Sequence, residues 1–329
     1  MRDEPNNTRY WIAICPVIFG LMVAGWSDPS GAEQRKRILP EYDLLADTTQ
    51  GTAASVVGAL RTYVPEKGET FLEISKTFDL GYNEVVLGNR DVDPWIPSNA
   101  EPVVLPTRWI VPDAARQGLV LNIPEMRLYY FPGKSGQKVI TVPVGLGRED
   151  WQTPQGTFRV RGKTVNPTWV IPESIRRERI AENGFSEYVI PGGTPENPLG
   201  SYRLELSIPS YGIHGSNKPW GVGMQVSHGC LRLYNEDIES LFPLVDVGTG
   251  GVFVYQPVKV GMLRGRVLVE VHEDIYGIQP DLLGTSREII KRRGWTELVE
   301  PELLEAVVAA QSGIPTDVGW VTATTGRAE

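Results

Sequence analysis

The spacing of hydrophobic and polar positions changes along the chain and separates it into segments of different character. Residues 10–25 form one uninterrupted apolar run, preceded by Arg2 and Arg9 and followed by small and polar residues. This order is typical of a secretion signal, and the run is shorter than the roughly 20 residues that span a membrane as a helix. We therefore predict that residues 1–26 are a signal peptide or an uncleaved membrane anchor, and that the protein is exported.

Residues 27–60 follow no clear hydrophobic period and are predicted to form a linker. Regular spacing begins at Arg61, where a short strand is followed by a glycine turn and by a helix that Thr70 caps. A second helix is predicted after Asn83, and residues 102–106 are predicted to close the unit as a strand. The unit therefore covers residues 61–107 and has the order strand, helix, helix, strand.

This β-α-α-β order resembles a LysM module. The segment Gly68-Glu69-Thr70, followed by Ile74 and Asn89, carries the resemblance. LysM modules bind the glycan of peptidoglycan or chitin, so the resemblance implies that the unit docks on a cell wall. Phe71 and Arg90 depart from the family pattern. That departure leaves open a second interpretation, a small packing domain that has lost its glycan groove.

From residue 115 to residue 258 the pattern changes to short strands that alternate with Gly and Pro turns. Residues 119–123, 126–131 and 137–144 are rich in β-branched and aromatic side chains, whereas residues 173–183 favour a helix. Many short strands at this spacing predict a mainly β domain built as a sandwich or barrel.

The C-terminal residues 259–329 are predicted to form an extension that packs on the protein itself. His272 alternates with apolar residues on a strand and is interpreted as a surface or packing residue. The extension is predicted to contain, in order, a strand at 267–272, helices at 285–295 and 301–311, and a disordered tail at 322–329.

Composition excludes one broad class of partner. The chain has 329 residues, 41% of them apolar, and a formal net charge of -8. It is therefore long enough to bury a sizeable core, and it lacks the basic face that nucleic-acid binding needs. Short basic clusters at residues 35–37, 176–179 and 291–293 are interpreted as solvated helix faces or chain ends.

Candidate chemistry is concentrated around one cysteine. Cys230 is the only cysteine outside the apolar N-terminal segment, so it has no partner for an intramolecular disulfide. An unpaired thiol in an oxidising compartment risks mispairing, which favours a use as a nucleophile activated below the ordinary thiol pKa of about 8.5. A base on a neighbouring strand approaches a thiol better than one on the same strand, which favours His214 over His228. The amides of Gly229 and Cys230 are candidate oxyanion donors.

Two other interpretations of Cys230 are open from the residues alone. A lone cysteine is often a small buried hydrophobe. Zinc bound by His214, His228 and Cys230 is a second alternative, although the chain has no CxxC or HExxH spacing. We predict no metal and no cofactor.

The run His214-Gly215, followed by Ser227-His228-Gly229-Cys230-Leu231-Arg232, resembles the signature of the L,D-transpeptidase catalytic domain, the YkuD fold. The resemblance implies Cys230 as nucleophile, His214 as base and the Gly215 carbonyl as the group that orients the base. It also implies that His228 shapes the oxyanion side. The candidate substrate-binding residues are Arg232, Ser227, Trp220, Trp169 and Asn217.

The resemblance further implies a periplasmic enzyme that acts on peptidoglycan stem peptides through a cysteine thioester, without a cofactor. The acyl acceptor it implies is an amine, either a second stem peptide, which gives a 3-3 cross-link, or an outer-membrane lipoprotein. Water as acceptor would make the protein an L,D-carboxypeptidase or endopeptidase. A non-catalytic LysM protein that only binds the wall is the alternative from another class.

Overall fold

The computed structural model describes residues 37–44, 46–47, 52–53 and 55–321. The predicted signal segment and the predicted tail at 322–329 lie outside the described residues. Within them, none of the helices combines the length and the apolar content of a membrane span.

Short strands dominate the described residues, and the prediction of a mainly β fold is confirmed. The strands are β1 Glu41–Asp43, β2 Ala46–Asp47, β3 Thr52–Ala53, β4 Val56–Gly58, β5 Arg61–Tyr63, β6 Val103–Leu105, β7 Arg108–Ile110, β8 Gly118–Asn122, β9 Arg127–Phe131, β10 Lys138–Pro143, β11 Leu146–Gly147, β12 Gly156–Val165, β13 Trp169–Val170, β14 Val189–Ile190, β15 Tyr202–Leu206, β16 Gly212–His214, β17 Gln225–Ser227, β18 Leu231–Arg232, β19 Gly250–Val254, β20 Val258–Leu263, β21 Arg266–Val271 and β22 Thr316–Trp320. The α-helices are α1 Phe71–Thr77, α2 Tyr82–Leu87, α3 Glu173–Asn183, α4 Asn235–Leu241, α5 Leu282–Arg292 and α6 Pro301–Ala310.

The described chain is organised around one curled nine-stranded sheet, in the order β1, β10, β9, β8, β19, β12, β15, β16, β18. The long strand β12 pairs with β19 through its first half and with β15 through its second half. Its register shifts between Val160 and Gly162, where the strand passes from one half of the sheet to the other. Leu121 from the first half and Leu204 and Ile213 from the second half share one hydrophobic core. The two halves therefore pack as the two layers of a sandwich.

The N-terminal unit has the predicted element order, since β5, α1, α2 and β6 follow one another and β5 pairs antiparallel with β6. Thr70 caps α1 as predicted: its side chain accepts a hydrogen bond from the Leu72 amide, at 3.2 Å, and Glu73 binds back to the Thr70 amide, at 2.9 Å. This capping box satisfies amides that the first helical turn leaves without partners.

The outer face of the catalytic sheet is covered by this N-terminal unit. Along β8, Leu121 faces the sandwich core whereas Val120 faces outward, as the period of two in a strand requires. Val120 and Tyr129 share a core with Phe71 and Ile74 of α1. The unit is therefore packed onto the catalytic domain through a common hydrophobic cluster.

The prediction of a linker over residues 27–60 is wrong for two of its described segments. Strand β1 pairs antiparallel with β10 at the edge of the nine-stranded sheet, and β4 pairs antiparallel with β7. Edge pairing is made by backbone hydrogen bonds to strands far away in the sequence, so a local hydrophobic period does not reveal it. Part of the predicted linker is thus folded structure.

The C-terminal extension consists of the three-stranded antiparallel sheet β20, β21, β22 and the helices α5 and α6, which share one core with it. Both predicted helices are present. Helix α5 begins at Leu282, three residues before the predicted start, because the Asp281 side chain accepts a hydrogen bond from the Gly284 amide at 2.8 Å and caps the helix there.

A buried ionic cluster joins strand β7, the segment before β9 and the C-terminal sheet. The Lys259 ammonium lies 2.7 Å from Glu125 and 2.8 Å from Glu270, and it donates a hydrogen bond to the Ile110 carbonyl at 2.6 Å. His272 is buried and its Nε2 lies 2.7 Å from Glu270, so it is a partner in this cluster and not a surface residue. Ligand-type atoms of Glu125, Glu270 and His272 all lie within 4.8 Å of one another, but the cation among them is the lysine.

Candidate active site

The Ser-His-Gly-Cys segment forms a tight turn between β17 and β18. Gly229 has a φ of +102°, and a Cβ at this position would lie 2.9 Å from the ring of Tyr211. The buried Ser227 hydroxyl accepts a hydrogen bond from the Gly229 amide at 3.1 Å and donates one to the Cys230 carbonyl at 2.6 Å. The Gly229 amide therefore already has an acceptor in this structure, and its role as an oxyanion donor stays a prediction. Ser227 stabilises the turn that presents Cys230.

His214 lies on the strand next to the cysteine, as predicted. Strand β16 runs parallel to β18, with Ile213 opposite Leu231 and His214 opposite Arg232. The imidazole Nδ1 lies 2.7 Å from the Gly215 carbonyl oxygen. Because a carbonyl only accepts hydrogen bonds, Nδ1 carries the proton and Nε2 presents its lone pair. The predicted contact between the base and its orienting carbonyl is present.

Burial sets the protonation state of this histidine. His214 is 3% exposed, and desolvation lowers its pKa to about 3. The positive charges of Arg232 and Arg203 lower the pKa further, whereas the hydrogen bond to Gly215 raises it. The imidazole is therefore neutral at any pH at which the protein is expected to work, which is the state that accepts a proton.

The Cys230 thiol is half-buried and lies 3.4 Å from the Ser210 carbonyl oxygen. Burial raises the pKa of the thiol, and this effect exceeds the opposing effects of the Gly212 amide, Arg203 and Arg232. The direction is opposite to that predicted from the sequence for an activated thiol. The lowered pKa of the imidazole and the raised pKa of the thiol both favour neutral resting groups over a resting ion pair.

The loop after the histidine is held by the first residue of α4. The Asn235 side-chain amide accepts a hydrogen bond from the Ser216 amide and donates one to the Ser216 carbonyl, each at 2.9 Å. Gly200 and Gly215 lie so close that a Cβ at either position would meet the Asn235 oxygen, at 2.5 Å and 2.2 Å. This packing fixes the Gly215 carbonyl on which the His214 tautomer depends.

His228 has a different partner from His214. Its Nε2 lies 2.6 Å from a carboxylate oxygen of Glu178 on α3, and the Arg148 guanidinium donates to the other oxygen of Glu178 at 2.9 Å. The ring of Trp151 meets the His228 ring edge to face, with centroids 5.2 Å apart. Sequence analysis did not identify Glu178, because it lies within a basic cluster that was interpreted as a solvated helix face. The two histidines point to separate partners, an arrangement unlike a shared zinc site.

A cavity of about 820 Å³ connects these groups, and Cys230, His214 and His228 all lie on its wall. Three of the predicted substrate-binding residues line it from loops and a short strand. Trp220 is 54% exposed, Trp169 has the Arg179 guanidinium 5.0 Å from its ring centroid, and Asn217 donates a hydrogen bond to the Glu196 carbonyl at 3.1 Å. The structure thus brings every predicted side chain of the site to one cavity.

Arg232 also lines this cavity, together with Arg203, which sequence analysis did not select. Arg203 lies on β15 directly opposite His214 on β16. No local signal marks it, because the alternation of a strand shows which face a residue occupies and not which distant residue stands beside it.

Comparison with known proteins agrees with this geometry. The model of the YkuD family, described as the L,D-transpeptidase catalytic domain, matches residues 116–260. The chain is 34% identical over 279 residues to "Probable L,D-transpeptidase YcfS" of Escherichia coli, a match that covers 80% of this chain and 85% of that protein. It is 33% identical over 261 residues to "Probable L,D-transpeptidase YbiS" of the same organism, covering 77% and 84%. The chain therefore belongs to the L,D-transpeptidase family and is an enzyme of this class.

Proposed function

We propose that this protein is a periplasmic enzyme that exchanges the terminal residue of peptidoglycan stem peptides for another amine through a thioester on Cys230. The observation that carries the proposal is the placement of the thiol and a neutral His214, oriented by the Gly215 carbonyl, on the wall of one open cavity. The apolar run at residues 10–25 supports a location outside the cytoplasmic membrane.

In the first half of the reaction, Cys230 attacks the carbonyl carbon of the third residue of the stem peptide while His214 Nε2 takes the thiol proton. The carbon–nitrogen bond breaks, and His214 returns the proton to the departing amine of D-alanine. The sulfur is left as a thioester of the shortened peptide. Atoms and charge balance within the two side chains and the peptide.

In the second half, the amine of an acceptor attacks the thioester carbon and gives its proton to His214. The carbon–sulfur bond breaks, the thiol is restored and a new amide forms. We propose an amine acceptor, either a second stem peptide or the chain end of an outer-membrane lipoprotein.

The reaction class is tested by incubating the purified enzyme with a tetrapeptide donor and following the products by mass spectrometry. A dimer with a 3-3 link supports transpeptidation, whereas tripeptide alone would identify a carboxypeptidase and an unchanged donor would identify a non-catalytic protein.

We also propose that the β-α-α-β unit docks on wall glycan. Its loop after α2 exposes Trp95 and Ile96, which are 58% and 77% exposed, and exposed aromatic rings stack on sugars. In co-sedimentation with purified peptidoglycan, we expect Trp95→Ala to lower the bound fraction several-fold. Trp320→Ala removes a similarly exposed ring on β22 and should leave binding unchanged. Equal binding by both variants would contradict docking through this loop.

We propose that the loop carrying Trp220 acts on the acceptor side of the cavity. Trp220 lies in a single turn, Pro219–Gly221, and the next two residues accept hydrogen bonds from the N-terminal unit: the Tyr82 amide binds the Val222 carbonyl at 3.1 Å and the Asn83 amide binds the Gly223 carbonyl at 3.3 Å. Hydrogen bonds from the N-terminal unit thus fix the backbone of the loop, while the Trp220 ring lines the cavity.

For Trp220→Ala we expect cross-linking or anchoring to fall about tenfold, equivalent to roughly 1.4 kcal/mol, while thioester formation stays within a few-fold. Formation of the thioester is measured as the rate of carbapenem adduct formation on intact mass, and acceptor transfer as dimer yield. Trp320→Ala is the matched control. If both steps fell in parallel, Trp220 would belong to the donor side or to the packing of the loop.

A further inference from the structure

The two histidines of the cavity have opposite electrostatic surroundings. His214 is buried, and desolvation together with the charges of Arg232 and Arg203 lowers its pKa to about 3. The His228 side chain is 22% exposed on the wall of the same cavity, and its Nε2 lies 2.6 Å from a carboxylate oxygen of Glu178. Titratable groups whose surroundings favour opposite protonation states usually have separate roles in proton transfer.

The contact with Glu178 decides which nitrogen of His228 is available to a ligand. Hydrogen bonds from His228 and Arg148 lower the pKa of the Glu178 carboxyl group, so Glu178 is ionised. A carboxylate only accepts hydrogen bonds, hence Nε2 of His228 carries the proton and Nδ1 keeps its lone pair. Nδ1 has no partner among the described residues, and the ring of Trp151 packs against the imidazole at 5.2 Å.

The charged groups in contact with this histidine favour an added proton. Arg148 lies 2.9 Å from Glu178 and 3.3 Å from Asp150. Two carboxylates and one guanidinium leave one net negative charge in this cluster, which a proton on His228 would neutralise. An imidazole bound to a carboxylate holds a proton more readily than the buried His214, which has only the Gly215 carbonyl as its partner.

An acceptor amine brings a proton that His214 cannot retain. An aliphatic side-chain amine such as that of lysine has an ordinary pKa of about 10.4 and is an ammonium at neutral pH. An ammonium has no lone pair with which to attack a thioester. Since the pKa of His214 is about 3, removal of this proton within the cavity requires a second base.

We propose that His228, oriented by Glu178, is the base that deprotonates the acceptor ammonium before it attacks the thioester on Cys230. The inference rests on the proposed function. One N–H bond of the ammonium breaks, its proton moves to Nδ1 of His228, and its electron pair becomes the lone pair that attacks the thioester carbon. The resulting imidazolium is stabilised by Glu178 and later releases its proton to water.

The two histidines thus handle different protons of the same acceptor. The proton that the nitrogen loses during attack passes through His214 to the sulfur, and the proton that it loses beforehand passes through His228 to solvent. Glu178 acts through His228 and is a positioning residue. Formation of the thioester involves no ammonium, so a defect in this pair should affect only the acceptor half of the reaction.

Glu178→Gln tests the proposal, because the amide oxygen can still accept a hydrogen bond from Nε2 of His228 but carries no charge. Release of D-alanine in the first turnover, measured by rapid quench, should stay within about threefold of the wild type and shows that the variant is folded. Dimer formation with a stem peptide as acceptor should fall about 100-fold, the usual loss for a missing general base. Glu178→Asp should recover part of it.

Hydroxylamine as acceptor separates a lost base from a distorted cavity. It is largely uncharged at neutral pH and needs no base, so Glu178→Gln should form the peptide hydroxamate within about threefold of the wild-type rate. His228→Ser should show the same pattern. Glu173→Gln is the matched control, because Glu173 lies on the same helix, binds Arg176 and Arg177 and does not line the cavity. It should change none of the three rates.

Three results for Glu178→Gln would refute the second base while the proposed function stands. They are an unchanged rate of dimer formation, an equal loss of dimer and hydroxamate, and a loss of D-alanine release in parallel with dimer formation. If the wild type itself released no D-alanine from the tetrapeptide, the proposed function would fail instead.

Discussion

In the Cys230→Ala variant we expect no release of D-alanine from a tetrapeptide, in a protein whose thermal unfolding is close to that of the wild type. The proposed reaction requires the sulfur as nucleophile, and no other cysteine lies in the chain outside the apolar N-terminal segment. The thiol is half-buried and contacts the Ser210 carbonyl oxygen at 3.4 Å, an ordinary length for a hydrogen bond from sulfur. Removing it leaves a minor cavity, so we expect a loss of about 1 kcal/mol of stability or less.

Two measurements check this expectation. D-alanine release is followed in a coupled assay, and intact mass after carbapenem treatment should show one covalent adduct on the wild type and none on Cys230→Ala. Cys230→Ser is the stricter variant, since it keeps the shape of the side chain and replaces the thiol by a far less acidic hydroxyl. Release of D-alanine at the wild-type rate by either variant would refute the assignment of the nucleophile.

The second large effect is expected at the base. His214→Ala should lower kcat/KM by at least the roughly 100-fold that a lost general base costs, whereas His228→Ser should retain measurable turnover. The reason is the difference in their partners: the Gly215 carbonyl leaves Nε2 of His214 free to accept a proton, whereas Glu178 binds Nε2 of His228. A larger loss for His228→Ser than for His214→Ala would reverse the two roles.

The pH profile gives an independent check on the same base. Because burial lowers the pKa of His214 to about 3, the imidazole stays unprotonated as the pH falls through 6.5, the ordinary histidine value. The wild-type rate should therefore show no inflection near pH 6.5 that is due to His214. Any inflection found near that pH should also be present in His214→Ala. An inflection there that disappears in this variant would show that the imidazole titrates with an ordinary pKa and that burial does not lower it.

The candidate nucleophile could be selected from the sequence because its signal is local. Six consecutive residues, Ser227 to Arg232, contain Cys230 together with the serine and the glycine that shape the turn. Local signals also predicted the order of elements in the N-terminal unit and the helix at 173–183. Capping residues and hydrophobic spacing each involve only a few neighbouring positions.

What the sequence did not reveal depends on which distant segments meet. Arg203 stands beside His214 only through the register of β15 on β16, and Glu178 reaches His228 only because α3 packs over the motif. The use of the Gly229 amide by Ser227, and the rise in the pKa of the thiol, arise from burial and hydrogen bonding that exist only after folding. Strand β1 was missed because an edge strand needs no hydrophobic period of its own.

The buried Lys259 cluster bears on how the molecule unfolds. Its ammonium binds Glu125 beside the nine-stranded sheet, Glu270 in the C-terminal sheet and the Ile110 carbonyl on β7. Separating these segments would leave a charge or a carbonyl buried without a partner, which is unfavourable. We therefore expect residues 55–321 to unfold in one cooperative thermal transition when heat capacity is followed by calorimetry.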